Sequence, residues 1–452
     1  MRKLFLLGLT WPAIILAGPP VAVAPVAMDS VLDAKGAVWL LPADDFMTAH
    51  RALGFQWTSA NKETARAARQ GLSWQGMPVY EAMVRFDKGT PKEISIQLFN
   101  RGDAGDLDEP TFQKLTQAAD EKLTAWAGSK GVLLKNQERT ASATIRRKSW
   151  IKEPYRVDLV WSYSEKSRSQ GIAAALPEYA RLQITPFDPA QDPRKTILAT
   201  GTASQPKPVS ALELKSRVKR SPTGDVVIPT VPMVDQGLKG YCAAAVAERV
   251  LRYYGRNLDQ HEIAQLARTS ASGGTNPDQM VAALRRIGDE TKMDVAALQD
   301  FDIREFEKTV ADYNRAAKHG KKPSVQFMHQ SGNTIIVESP VTVFQAMDTD
   351  LLREARLKRD GSLQEFKQTI TKYINNGAPL AWGCIVGKVP EKPEMKGFGG
   401  HMRLIIGYND QTREVLYSDT WGAGHELKRL SLSDAWTITL GLYCFQPRDV
   451  RF

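Results

Sequence analysis

Four residues of this chain have the types and spacing that acyl-transfer chemistry uses: Gln236, Cys242, His401 and Asp419. Cys242 stands where a glycine-bearing loop, Asp235-Gln236-Gly237-Leu238-Lys239-Gly240-Tyr241, meets the start of an expected helix. Unpaired N–H groups and the positive end of a helix dipole favour a thiolate there. Ala243, Ala244 and Ala245 follow, small enough to let a substrate backbone approach. Gln236, six residues upstream, can fold back so that its amide and the Cys242 N–H share one oxyanion. His401 follows Gly399-Gly400 and heads the apolar stretch Met402-Arg403-Leu404-Ile405-Ile406-Gly407-Tyr408, read as a strand. Freed by two glycines, it can face a cleft while that strand is buried. Asp419 lies 18 residues on, in Tyr417-Ser418-Asp419-Thr420-Trp421-Gly422. It is one hairpin away and can hold the imidazole in one tautomer.

Each residue also has a plainer reading. Cys242 alone is a buried cysteine starting a core helix, His401 a strand-edge residue, Asp419 a turn residue. The set is more specific than its members. His425, in Gly422-Ala423-Gly424-His425, competes with His401 as the base because it also lies near Asp419. His261 and His329 lack a partner motif and read as core or surface residues. Trp421 is placed either to pack over the His401–Asp419 pair or simply as core.

The elements that must position these groups follow from periodicity. Val226 to Val234 is extended. Cys242 to Tyr254 is a helix with Val246, Val250 and Tyr254 on one stripe and Gly255 as its cap. A second helix opens at Asp259 with Glu262 in capping-box spacing, and a third has Asn276 as cap, Pro277 in its first turn and Gly288 after its end. A helix is expected around Ile303 to Lys318 and another capped by Ser362, with possible strands at Ser324–His329 and Thr334–Glu338. The end is strand-rich: Pro379–Val386, Met402–Tyr408, Glu414–Ser418 and Thr439–Phe445. Helices first and an antiparallel sheet afterwards is an α+β order.

In order and approximate spacing, these residues resemble the papain-like cysteine peptidases, and most nearly the bacterial group related to bacteriocin-processing peptidases of double-glycine leaders. The matching features are an extended lead-in to Gln236, a helix from Cys242 ending in Tyr253-Tyr254-Gly255, Gly400-His401 before a strand ending in Gly407-Tyr408, and the turn Asp419-Thr420-Trp421-Gly422. The resemblance covers about half the chain. It implies a papain-like C-terminal domain, residues 226–452, with Cys242 as nucleophile, His401 as base and acid, Asp419 orienting His401, and Gln236 as oxyanion donor. It implies hydrolysis of peptide bonds in a peptide or protein substrate without a metal or organic cofactor. Two departures stand out. Ala243 occupies a position where glycine is frequent, and an insertion before Pro379 is longer than the minimal fold needs. The chain has no ATP-binding loop or spanning segments, so leader-peptide specificity is not carried over. A transglutaminase-like or amide-hydrolysing enzyme on the same scaffold, and a non-catalytic binding protein of the same fold, are the alternatives.

The preceding residues form a separate α+β domain, 31–187. Asp44–Leu53 and Ala60–Arg69 look helical, and Val79–Phe86 and Glu93–Phe99 are strands joined by the turn Asp87-Lys88-Gly89. Pro110 opens a helix to about Trp126, and Thr140–Lys148, Tyr155–Tyr163 and Glu178–Thr185 are further strands. No catalytic or metal spacing is present. Residues 188–225 break regular structure with Asp188-Pro189, Asp192-Pro193, Pro206, Pro208 and Ser221-Pro222, which suits a linker holding one short helix around Ala211–Val218. The basic run Lys215 to Arg220 suggests two fates for 31–187: a permanent accessory domain, or a pro-domain released near Arg220.

Arg2-Lys3, an apolar run from Leu4 to Ala17 and then small residues form the pattern of a signal peptide, residues 1–27, which implies a periplasmic or extracellular product. Pro12 splits that run, which is shorter than the roughly 20 residues a span needs. The net charge of +10 on 452 residues is spread along the chain rather than gathered with aromatics, so nucleic acid is not an expected partner. Three cysteines, Cys242, Cys384 and Cys444, exclude a disulfide scaffold. The latter two sit in strand-type runs, where they either pair or are simply buried.

Overall fold

The computed structural model of the chain describes residues 4–5, 25–32, 36–134, 138–139, 143–165, 175–192, 209–237, 240–256, 258, 260–266, 293–331, 334–358, 360–395, 397–448 and 450. Most of the expected signal segment, the helix around 276–288, Asp259 and residues 193–208 of the expected linker lie outside them. The described residues form an α+β protein with two hydrophobic clusters, one drawn from residues 28–184 and the other from residues 209–450.

In the N-terminal half a single antiparallel sheet carries β1 (Thr64–Ala67), β2 (Glu81–Asp87), β3 (Thr90–Asn100), β4 (Ala143–Lys152), β5 (Tyr155–Glu165) and β6 (Ala175–Pro186), with α1 (Glu109–Ala127) across it. The spatial order is β4-β5-β6-β3-β2-β1. Lys88 and Gly89 both have positive φ, 50° and 82°, so Asp87 pairs with Thr90 across a two-residue turn of the kind that suits strand twist. Asp108 caps α1 by accepting from the Thr111 N–H, and Phe112, Ala119 and Leu123 bury its inner face. The helix expected over Ala60–Arg69 is not formed. Thr64–Ala67 is instead a strand whose Thr64, Ala65, Arg66 and Ala67 pair with β2. The buried Ala65 and Ala67 gain more from that sheet face than from a solvated helix.

The C-terminal half opens with a short helix, α2 (Ala211–Ser216), followed by α3 (Cys242–Tyr253) and α4 (Gln260–Leu266). Leu214 of α2 belongs to the C-terminal cluster, and Lys219–Arg220 pairs with Val226–Val227. The described part of the expected linker after residue 208 therefore lies on this core. Next come β7 (Met293–Gln299), α5 (Ile303–His319), α6 (Thr349–Leu357), α7 (Asp360–Asn375), β8 (Leu380–Val386), β9 (Gly399–Asn409), β10 (Glu414–Ser418), α8 (Leu432–Ile438) and β11 (Thr439–Pro447). Strand β8 lies between β9 and β11, and β7 follows β11. All seven residues of β8, Leu-Ala-Trp-Gly-Cys-Ile-Val, are buried, as a central strand covered on both faces requires. Gly255, at φ 76°, ends α3 in the left-handed conformation that glycine adopts without strain. Ser362 is not a helix cap, because α7 begins at Asp360. Among the described residues no helix is long and apolar enough to cross a membrane.

Candidate active site

Helix α3 and strands β9 and β10 pack together, and they bring three of the sequence-predicted residues to one place. Cys242 is the first residue of α3. Tyr241 precedes it without any side-chain cap, so the first-turn N–H groups carry the positive helix end toward the sulfur. His401 comes from β9. The sequence placed it at the head of a strand, loosened by Gly399-Gly400. The strand in fact starts at Gly399, and His401 is its third residue, paired in register with Cys384. A long apolar run continues pairing through glycine wherever its neighbour strand extends, so the ring is fixed by sheet geometry rather than by loop freedom. Asp419 follows β10, one hairpin from His401.

The His401 Nε2 lies 2.6 Å from Asp419 Oδ1. The Cys242 thiol lies close enough to the same ring to help raise its proton affinity. With Nε2 committed to the carboxylate, Nδ1 is the nitrogen left to meet the sulfur. Trp421 stacks on His401 with centroids 4.2 Å apart and planes 5° from parallel, covering one ring face. Cys242 keeps 9 % of its surface exposed, while Asp419 is wholly buried.

Gln236 joins this group through Asp419's neighbour. Its backbone N–H donates to the Thr420 carbonyl at 2.9 Å, and its Oε1 accepts from Thr420 Oγ1 at 2.5 Å. Holding Oε1 in this way fixes which end of the amide carries the N–H pair. Gly237 then turns the chain at φ 74°, with the Asp235 carboxylate accepting its N–H at 2.8 Å. Any side chain at position 237 would collide with the Arg66 guanidinium.

Beneath the pair lies an ionic cluster that sequence reading missed. Arg403, two residues after His401, places Nε 2.9 Å from Asp419 Oδ2, in an ion pair rather than an aligned hydrogen bond. Its other nitrogens donate to both oxygens of Glu391, at 3.1 and 2.8 Å. Glu391 also receives the Tyr417 hydroxyl at 2.6 Å and Lys428 Nζ at 3.1 Å. Arg249 of α3 donates to the Asp419 carbonyl at 2.6 Å, to Ser418 Oγ at 2.5 Å and to the Pro232 carbonyl at 2.7 Å. It thereby ties α3 to the Asp419 turn. Breaking a buried pair of this kind by removing one partner costs about 3–5 kcal/mol. Arg403 was legible only as an interruption of an apolar strand.

These charges set the titration of the site. Burial opposes the charge on Asp419, but Arg403, His401 and Lys428 outweigh it and hold the carboxyl well below the usual carboxylate range. Burial also pulls His401 down, yet the Asp419 carboxylate and the Cys242 thiol reverse that and raise it to about 9. Burial lowers Arg249 to about 10, against the pull of Asp419 and Glu426. Arg249, Arg403 and Lys428 face two buried carboxylates, Asp419 and Glu391. The surplus is positive.

The remaining candidates separate cleanly. The His425 ring meets the edge of Trp421 at 5.8 Å, its Nδ1 makes no hydrogen bond, and only its backbone carbonyl reaches Asp419, accepting the N–H at 2.9 Å. His261 is paired with Glu81 at 3.2 Å. Cys384 and Cys444 are free and buried, and burial pushes both thiols well up. Among the described residues no cluster of His, Cys, Asp and Glu is gathered as a metal site would need. No family model matches the chain, and no curated protein matches it.

Proposed function

We propose that the C-terminal half is a papain-like cysteine peptidase that hydrolyses peptide bonds in an exported setting. One observation carries this reading: a free thiol at an uncapped helix start lies close enough to an imidazole to raise its proton affinity, and the Nε2 of that imidazole is held 2.6 Å from a buried carboxylate. That is the nucleophile–base–orienter arrangement on which acyl transfer depends.

The Cys242 sulfur, its proton passed to His401, attacks the peptide carbonyl carbon and the C=O electron pair moves to oxygen. That oxyanion is met by the Cys242 N–H and the Gln236 side-chain amide. His401 then donates its proton to the departing amine, the C–N bond breaks, and an acyl-thioester remains. Water, deprotonated by His401, attacks the thioester, and the carboxylic acid leaves as the sulfur regains its proton. Asp419 keeps Nε2 engaged throughout, so the ring presents Nδ1 to each proton transfer. The basic-then-apolar start of the chain supports export.

Iodoacetamide labelling of the purified chain at neutral pH tests the reading. Cys242 should be modified much faster than Cys384 or Cys444, and His401→Ala should remove the difference. Equal labelling of all three thiols sinks it. A labelled peptide incubated with and without a primary amine then separates hydrolysis, which yields the free acid, from transfer, which yields the amide.

A further inference from the structure

The two loops that carry the site are fastened to the N-terminal half. Tyr241, adjacent to Cys242, sends its ring into that half and donates its hydroxyl to Asn100 Oδ1 at 2.6 Å. The same Asn100 oxygen receives the Gly102 N–H at 2.7 Å, and any side chain at Gly102 would strike the Tyr241 ring. Asp235, adjacent to Gln236, pairs with Arg66 of β1 at 3.5 Å. Beyond the Trp421 turn, Glu426 accepts the Ala60 N–H at 2.7 Å. Helix α4 strengthens the join, with Glu262 on Arg181 at 2.8 Å and Gln265 accepting from Ser162 at 2.8 Å. Gln260 of α4 also donates to the Asp235 carbonyl at 3.1 Å. Among the described residues, no hydrogen bond, ion pair or ring contact runs from the N-terminal half to Cys242 or His401 themselves.

From this geometry we infer that the N-terminal half is a permanent positioning element of the active site, with the Tyr241–Asn100 bond setting where α3 presents its sulfur. This rests on the reading of Cys242 as nucleophile and deepens it. Here the N-terminal half grips Tyr241 and Asp235, the residues flanking the loop between oxyanion donor and nucleophile. Tyr241 and Asn100 are positioning residues, acting through Cys242.

The test uses the full chain with three variants: Tyr241→Phe, which deletes one oxygen atom, Asn100→Ala, and the two combined. The second-order rate of iodoacetamide alkylation at Cys242 is followed across pH, together with the thermal midpoint. Each single variant should react about fivefold more slowly at neutral pH, as loss of one buried hydrogen bond implies. Its pH profile should move upward while the thermal midpoint stays within a few degrees. The double variant should be no slower than the slower single one, because both act through one bond. Wild-type rates and profiles in the variants overturn the inference, and faster alkylation overturns it in favour of a removable cover. Should Asn100→Ala not fold, Tyr241→Phe alone decides, with Gly102→Ala, which displaces the ring from the other side, as the second variant. Failure of the wild-type chain to label selectively at Cys242 would instead refute the nucleophile, a result visible before any variant is made.

Discussion

The buried histidines His401 and His261 each face a carboxylate, and they occupy different regions. His401 meets Asp419 at 2.6 Å in the C-terminal half, and His261 meets Glu81 at 3.2 Å where the two halves join. Each also has an aromatic neighbour, Trp421 stacked at 4.2 Å for the first and Tyr241 edge-on at 5.8 Å for the second. By burial and pairing alone they are alike. The difference lies in what completes each pair. His401 lies beside a thiol at a helix start, which helps raise its proton affinity, and its carboxylate is braced by Arg403 and by the backbone grip of Arg249. His261 joins one half of the chain to the other. A carboxylate–histidine pair is thus a general structural device, and chemistry begins only where a nucleophile and an oxyanion site converge on it.

The largest effect should separate the two histidines. His401→Ala should lower kcat for peptide hydrolysis by roughly 10⁴-fold or more, whereas His261→Ala, acting through packing, should cost about tenfold at most. Comparable losses in both, measured on chains of equal thermal midpoint, would erase the distinction. Next in size is Gln236→Ala. Hydrolysis should fall by about 10²–10³ in kcat, while alkylation of Cys242, which develops no oxyanion, should fall far less. Parallel losses in the two assays would make Gln236 a structural residue only.

The smallest effect concerns pH. The folded-state value for His401 is raised to about 9, from an ordinary 6.5, by Asp419 and Cys242 acting against burial. A group raised on folding contributes stability that is whole below the ordinary value and is lost as pH rises through the folded one. Chemical denaturation should therefore show the wild type losing stability relative to His401→Ala between about pH 6.5 and 9. Hydrolysis should decline as pH rises through about 9, where the leaving amine loses its proton donor. A wild type whose stability tracks the variant across that range would contradict the charged ring.

Much of the site was legible because its signals are local. A cysteine at a loop–helix junction, glycines before a histidine and an aspartate one hairpin later are visible within short windows. The turn at Lys88-Gly89 and the helix behind Asp108 were legible for the same reason. What stayed hidden depends on partners distant in the chain. Arg403 looks like a solvent-facing break in an apolar strand, and only the fold brings Glu391 and Asp419 to it. Thr420 gives no sign that it holds Gln236, 184 residues away. Ala60–Arg69 was misread because local helix preference says nothing about the neighbouring strand that claims Thr64–Ala67. Strand β7 and helices α6 and α8 went unread, since their burial is supplied by the core cluster they join.

The three sulfurs have one further consequence. None is cross-linked, so reductants that keep Cys242 nucleophilic leave no bridge to be undone and should not weaken the fold. Cys384 and Cys444 are sealed inside with thiols held protonated by burial, which leaves no ready resolving partner. An oxidised Cys242, capped as a mixed disulfide, would have to wait for a thiol from outside the protein, which would make the proposed activity answerable to the redox state of its surroundings.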